Sequence, residues 1–245
     1  ADFSSFANSQ EYWNSLSGNH RHSIKKAFNK LERSGGFEIV LIGNPGQDVD
    51  TAMAQYSDIY SGSWKTRDEE PVFHHKLSKY LLDKGCLRIF LLYHRGKGVN
   101  NAKPKPFSPK ECLVNSEVPV SGKPIAAGIF IVRGAYSVFL KTAYLQDYAS
   151  YSPGTLLLWF AFKWLIDVDH VTYIDFLRGD NPYKNKWGKF REKLMICFIS
   201  NPGSLHANFE LWFKVYVFPK LRKFMLRFKR LRYYNRICGF LHFDP

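Results

Sequence analysis

Apolar positions recur along this chain at two spacings, and the alternation between them lays out the elements. Residues 9–36 read as helical, with Ile24, Phe28 and Leu31 at i, i+4 and i+7 forming one apolar stripe among Arg21, Lys25, Lys26, Lys30 and Arg33. Gly35-Gly36 ends that helix, since glycine accepts the left-handed conformation a C-cap requires. Phe37 to Ile42 is a short strand closed by the turn Gly43-Asn44-Pro45-Gly46. Asp48 or Asp50 caps a helix reaching about Trp64, and another helix starts near Pro71 and stops at Gly85. Cys86 to Tyr93 is nearly continuous in apolar residues, the pattern of a strand in mid-sheet.

Residues 95–117 break the pattern, with four lysines, Pro104, Pro106 and Pro109 and no periodicity. They read as an insertion loop, either a lid or partner contact or a tolerated surface excursion. Strand character resumes at Val118, turns at Ser121-Gly122-Lys123 and continues from Pro124 to Arg133, where Gly128 signals a bulge or a close backbone approach. Ala135 to Leu145 supplies the next antiparallel strand. Pro153 to Asp167 is a helix apolar on nearly every side and therefore buried. Val171 to Leu177 and Met195 to Ile199 are further strands. Helices, a run of antiparallel strands, then strand-helix-strand predict an α/β fold with a mixed, mainly antiparallel central sheet flanked by helices.

Composition narrows the class. Of 245 residues, 45% are apolar and 17% aromatic, which supplies a core and excludes general disorder. The net charge of +14 points to acidic partners: cofactor phosphates, nucleic acid or anionic lipid. From residue 204 the chain changes character, so the expected division is a domain over 1–203 and a basic amphipathic helical segment over 204–245. Between Lys214 and Arg236 stand nine basic residues and no acid, above a stripe of Leu221, Phe224, Met225, Phe228 and Leu231. Such a helix lies on an anionic membrane, grips RNA phosphates, or docks on the domain. The four cysteines form no C-x-x-C pair, and the histidine pairs His20/His22 and His74/His75 lack neighbouring ligands, so they read as surface histidines and no metal site is expected. With reduced thiols, no signal peptide and no run long enough to span a bilayer, the expected setting is the cytoplasm, either free or peripheral to the inner face of the membrane. The start at Ala1 suggests a processed product or a piece of a longer chain.

The basic helix HRHSIKKAFNKLERSGG, the strand GKPIAAGIFI, and the stretches AYLQDYASYSPGTLLLW and YIDFLRGDNPYKNKW occur in an order that resembles a known family. It is the CelD/BcsL-type acyltransferase domain of the GNAT superfamily, related to the FemAB aminoacyl transferases. The resemblance covers roughly residues 19–199; the 95–117 insertion and the basic tail depart from it. It implies an acyl-CoA co-substrate held between the two central strands, with its pyrophosphate on the loop and helix start at Tyr151 to Leu156. It also implies an amine acceptor, such as an amino sugar or cell-envelope glycan precursor. In a FemAB-like alternative the donor is an aminoacyl-tRNA gripped by the basic helices; a third reading is a non-catalytic domain that binds membrane or RNA through residues 214–236.

Several residues carry the expected chemistry. A helix start presents unpaired N–H groups and a partial positive charge, so Ser152, Gly154 and Thr155 suit a phosphate; Ser152 as N-cap with Pro153 in the first turn explains the same residues without a ligand. Asp175 shares a largely apolar strand face with Val171, Tyr173 and Leu177, which favours a raised pKa and a general base for the amine; hydrogen bonding to the next turn is the structural alternative. Tyr183 either protonates the leaving thiolate or packs on Trp187. Lys184 and Trp187 are expected at the acceptor side. Lys141 and Asp147 flank the donor cleft or pair with each other. A strand N–H near Tyr144 is the expected oxyanion donor.

Overall fold

The computed structural model describes residues 1–65, 70–96, 106–109, 114–115, 122–179, 181–188, 199, 201 and 203–221. The chain forms two compact units, residues 1–190 and 191–245. The first is built on a sheet of β1 (Phe37–Ile42), β2 (Leu87–His94), the two-residue β3 (Val114–Asn115), β4 (Lys123–Arg133), β5 (Tyr136–Tyr144) and β6 (Tyr173–Asp175). The strand order is β3-β1-β2-β4-β5-β6. The pairs β1–β2, β2–β4 and β4–β5 are antiparallel, while β1–β3 and β5–β6 are parallel.

Both faces of this sheet are covered, which explains why its central strands lack polar alternation. Successive side chains of a strand point to opposite faces. Phe37, Ile39 and Leu41 of β1 accordingly join one core with α1 (Ser9–Ser15), α2 (Gly18–Arg33) and α5 (Pro153–Asp167), whereas Val40 and Ile42 join another with α3 (Val49–Ser61) and α4 (Pro71–Asp83). Leu156 to Phe162 of α5 are all buried, as its unbroken apolar sequence predicts. Its Lys163 is buried too, and is satisfied by Asp167 at 2.8 Å and the Ser9 hydroxyl at 3.0 Å.

Three expectations change. The helix expected over 9–36 is two helices, because Leu16 is extended (ψ 146°) and Ser17 begins a new helix by accepting the His20 N–H on its side chain. The strand expected over 171–177 keeps ladder geometry only at Tyr173–Asp175: His170 before it and Leu177 after it are both left-handed (φ 53° and 57°), which bends the chain away. Asp48, not Asp50, caps α3 through the Thr51 N–H at 2.9 Å; Asp50 instead pairs with His75 and Lys79 of α4. Gly128 lies just before an irregularity of the ladder, and only side chains approach it. A register shift follows it at Ile129/Phe130, and a Cβ there would come 3.4 Å from the Phe130 ring.

The second unit contributes α6 (Leu205–Trp212), capped by the Ser204 side chain, and a π-turn over Phe213–Val217. Phe209, Trp212 and Tyr216 are exposed on it. The expected strand at 195–199, most of the 95–117 insertion and the basic stripe beyond Leu221 lie outside the described residues. Among the described residues no helix is long and apolar enough to cross a membrane, and no cluster of side chains could hold a metal ion.

Candidate active site

The parallel strands β5 and β6 pair over only three positions, Tyr136↔Tyr173 to Val138↔Asp175. Beyond Val138, β5 runs on to Tyr144 while the chain after Asp175 turns away. The strands therefore part, and the outer edge of β5 from 139 onward has no strand beside it among the described residues. A cavity of about 740 Å³ opens there. Thr142, Ala143 and Tyr144 form one wall, the start of α5 a second, and Arg178, Gly179, residues 181–184, Lys186 and Trp187 a third, with His20 of α2 and Trp64 and Lys65 after α3 completing it. A carbonyl on the open edge, that of Thr142, accepts from the Lys65 ammonium at 2.5 Å.

The entry to α5 is unusual. Ser152 is left-handed (φ 52°, ψ 47°), so the chain turns sharply from a 3-10 turn at Gln146–Tyr151 into the helix. A non-glycine residue in this region carries strain of order 1–2 kcal/mol. The expected capping by the Ser152 side chain is absent: an N-cap hydroxyl reaches back to the first turn from an extended backbone, and this backbone is not extended. The Ser152 carbonyl instead accepts from Thr155 and Leu156 at 3.1 and 3.3 Å. Pro153 has no N–H, and the N–H of Gly154 has no partner among the described residues. A Cβ on Gly154 would stand 3.3 Å from the Tyr144 ring, so glycine keeps this corner open.

The lining is cationic. Lys65, Arg178, Lys184 and Lys186 contribute to it, and no described lining residue is acidic. The four cations are not equivalent. Lys184 donates to the carbonyls of Phe176, Leu177, Arg178 and Gly179 at 2.8, 3.2, 2.9 and 3.1 Å, so its ammonium organises the loop after β6. That loop needs such a clamp, because Leu177 and Gly179 both have positive φ.

Of the residues expected at the site, the structure brings Ser152, Gly154, Thr155, Tyr183, Lys184 and Trp187 to one cavity. It does not bring Asp175, Lys141 or Asp147 there. Asp175 forms the last β5–β6 pair, next to the point where the strands part, but its carboxylate is taken up locally, accepting from the Tyr136 hydroxyl at 3.0 Å and the Leu177 N–H at 2.7 Å. Lys141 places its ammonium 6.0 Å from the Tyr60 ring centre, and Asp147 is exposed on the 3-10 turn. Trp187 is only 3% exposed, packed edge-on against Phe162, with its carbonyl accepting from the Tyr12 hydroxyl. Tyr183 is half-buried near Phe176, and burial raises its pKa, so it holds its proton.

His20 overturns its reading as a surface histidine. It is 5% exposed, edge-on to Trp187 with ring centres 4.3 Å apart, and its Nε2 has no hydrogen-bond partner. Burial, reinforced by the charge of Lys186, lowers its pKa to about 4. The signal was in the sequence: His20 lies in phase with Ile24, Phe28 and Leu31 on the buried stripe of α2. Lys65 and Arg178 had no such signal, since neither belongs to a periodic element.

A profile described as an acetyltransferase (GNAT) domain matches residues 18–99 and 105–185. The chain belongs to this family. As a GNAT domain it is an acyltransferase, and its mixed sheet is the GNAT-like one. Among solved structures it is similar to the crystal structure of FemX, with 13% identity, a TM-score of 0.47, and coverage of 85% of this chain and 55% of that one. It is also similar to the structure of L-PGS from Bacillus licheniformis, with 15% identity, a TM-score of 0.33, and coverage of 64% and 40%. The GNAT chain thus spans about half the length of these proteins. No curated protein sequence matches it.

Proposed function

We propose that this GNAT domain, of the CelD/BcsL type, transfers an acyl group, acetyl first among candidates, from acyl-CoA to an amine on a small molecule or glycan precursor. The observation that carries this reading is the cationic cavity at the β5–β6 splay, with the Gly154 N–H, which has no partner among the described residues, at its rim. The residues fit an acyl-CoA. A helix start favours an anion, so Ser152, Gly154 and Thr155 suit the pyrophosphate, while Lys65, Arg178 and Lys186 supply countercharge. The cavity is of the size that holds a small organic ligand. The thioester then lies along the open edge of β5, where a backbone N–H near Tyr144 would face the developing oxyanion. Tyr183 retains its proton and serves as donor to the leaving thiolate. Lys184 contributes by shaping the 176–179 loop, and Trp187 by forming the apolar floor.

Isothermal calorimetry with acetyl-CoA and CoA tests the reading. Binding at micromolar concentration is expected, weakened by removal of the Lys65 and Arg178 charges; no binding of either at millimolar concentration refutes it. The net charge of +14 also favours a second reading, an aminoacyl-tRNA donor bound through the basic α2 and residues 214–236, of which 222–236 lie outside the described residues. Its mark is tRNA binding that falls steeply with salt and is lost when residues 204–245 are removed. The same segment is proposed to hold the domain to anionic lipid at the inner face of the membrane, which vesicle co-sedimentation checks.

A further inference from the structure

The acyl transfer proposed above needs a group that removes a proton from the attacking amine, and Asp175 does not line the cavity. Among the described lining residues none is a carboxylate, and Tyr183 holds its proton. One lining side chain has an unused ring nitrogen.

We propose that His20 is the proton acceptor of the reaction, with its proton on Nδ1 and the Nε2 lone pair turned to the incoming amine. Three observations on this residue combine. It lines the cavity from α2, across from the start of α5. Its Nε2 is buried without a partner among the described residues, an unfavourable state that a substrate N–H relieves. Its ring is fixed edge-on by Trp187, so the nitrogen is oriented before substrate arrives. In this structure Nε2 is screened from water, and the side chains that cover it have to shift as the acceptor enters.

The neutral amine uses its lone pair to form the C–N bond, and the carbonyl π pair moves onto oxygen. The nitrogen, now positively charged, gives one proton to Nε2 of His20. That nitrogen is far more acidic than a free alkylammonium, because it is bonded to the oxygen- and sulfur-bearing carbon. The oxyanion reforms the carbonyl, the C–S bond breaks, and Tyr183 protonates the thiolate. His20 and Tyr183 return to their neutral forms by proton exchange with solvent. Burial first, and then the charge of Lys186, keep the imidazole unprotonated between turnovers. Phosphates of a bound acyl-CoA offset that charge and strengthen His20 as a base when the donor is in place.

The inference rests on the acyl-transfer reading, so the test has two independent arms. Nitrogen NMR of 15N-histidine-labelled protein reads the tautomer without any substrate: an unprotonated Nε2 between pH 8 and pH 5 is expected, and a proton on Nε2 overturns the proposal. In the second arm thiol release from acetyl-CoA is followed with glucosamine and ethanolamine as probe amines in wild type, His20→Gln and His20→Ala. The variants are expected to bind acetyl-CoA as wild type does, to lose at least about a hundredfold in turnover, and His20→Ala is expected to regain part of it with added imidazole. A loss below threefold, or a loss that imidazole leaves untouched in a folded variant, overturns the proposal. Failure of wild type to bind acetyl-CoA instead removes the acyl-CoA reading, and the NMR arm still decides the state of His20.

Discussion

His20 makes folding stability depend on acidity in a way that can be worked out from its position. In the folded chain burial and Lys186 bring its pKa to about 4, against an ordinary 6.5. The unfolded chain therefore takes up the proton first on acidification. The stability contributed by keeping His20 neutral is fully present above pH 6.5 and is lost as pH falls from 6.5 towards 4. At pH 5 the unfolded state is favoured by about 2 kcal/mol relative to pH 7.5, from 1.36 kcal/mol per unit over roughly 1.5 units. Other groups titrate in the same range, so the comparison is with His20→Gln, which lacks the group. Urea denaturation of both proteins at pH 7.5, 6 and 5 measures it. The gap between wild type and His20→Gln should shift by about 2 kcal/mol in favour of the variant from pH 7.5 to 5. Parallel pH dependence in the two proteins refutes the placement of a neutral histidine behind Trp187.

Gly154→Ala gains helix propensity of up to about 1 kcal/mol but brings a Cβ to 3.3 Å from Tyr144. Calorimetry should show weaker acetyl-CoA binding at equal or higher melting temperature; unchanged affinity removes Gly154 from the donor site. Lys184→Met removes the donor shared by four carbonyls. It should cost about 2 kcal/mol and speed amide exchange at residues 176–179, while uniform exchange elsewhere and no change there contradicts the clamp. Ser152→Gly should stabilise the protein by about 1 kcal/mol by relieving the left-handed turn, and no gain by denaturation means the turn is unstrained.

Local patterns were legible because they depend on neighbours in the chain. The continuous apolar runs of β1, β2 and α5 need burial wherever they are placed, so both covered faces of the sheet and the interior position of α5 follow from them. The halt of α2 at Gly35-Gly36 and the start of α4 at Pro71 are likewise matters of backbone conformation. The turn at Ser152 to Thr155 was visible as a helix start, though not the left-handed Ser152 that leaves its side chain out of the cap.

The tertiary structure decided what the side chains do. Asp175 lies on the strand expected and forms the last β5–β6 pair before the strands part, but its carboxylate is taken up by the Tyr136 hydroxyl and the Leu177 N–H and does not line the cavity. Lys184 was expected at the acceptor side; it lines the cavity, yet its ammonium is held by four carbonyls of a chain segment that only folding curls around it. His20 shows the division most plainly. Its phase on α2 marks it for burial, but a neighbouring Trp187 167 positions away, and a cavity walled by β5 and α5, exist only once the sheet is assembled. Periodicity along a chain fixes which face of an element is covered; what covers it, and whether a buried nitrogen meets a partner or a cavity, is set by contacts between distant segments.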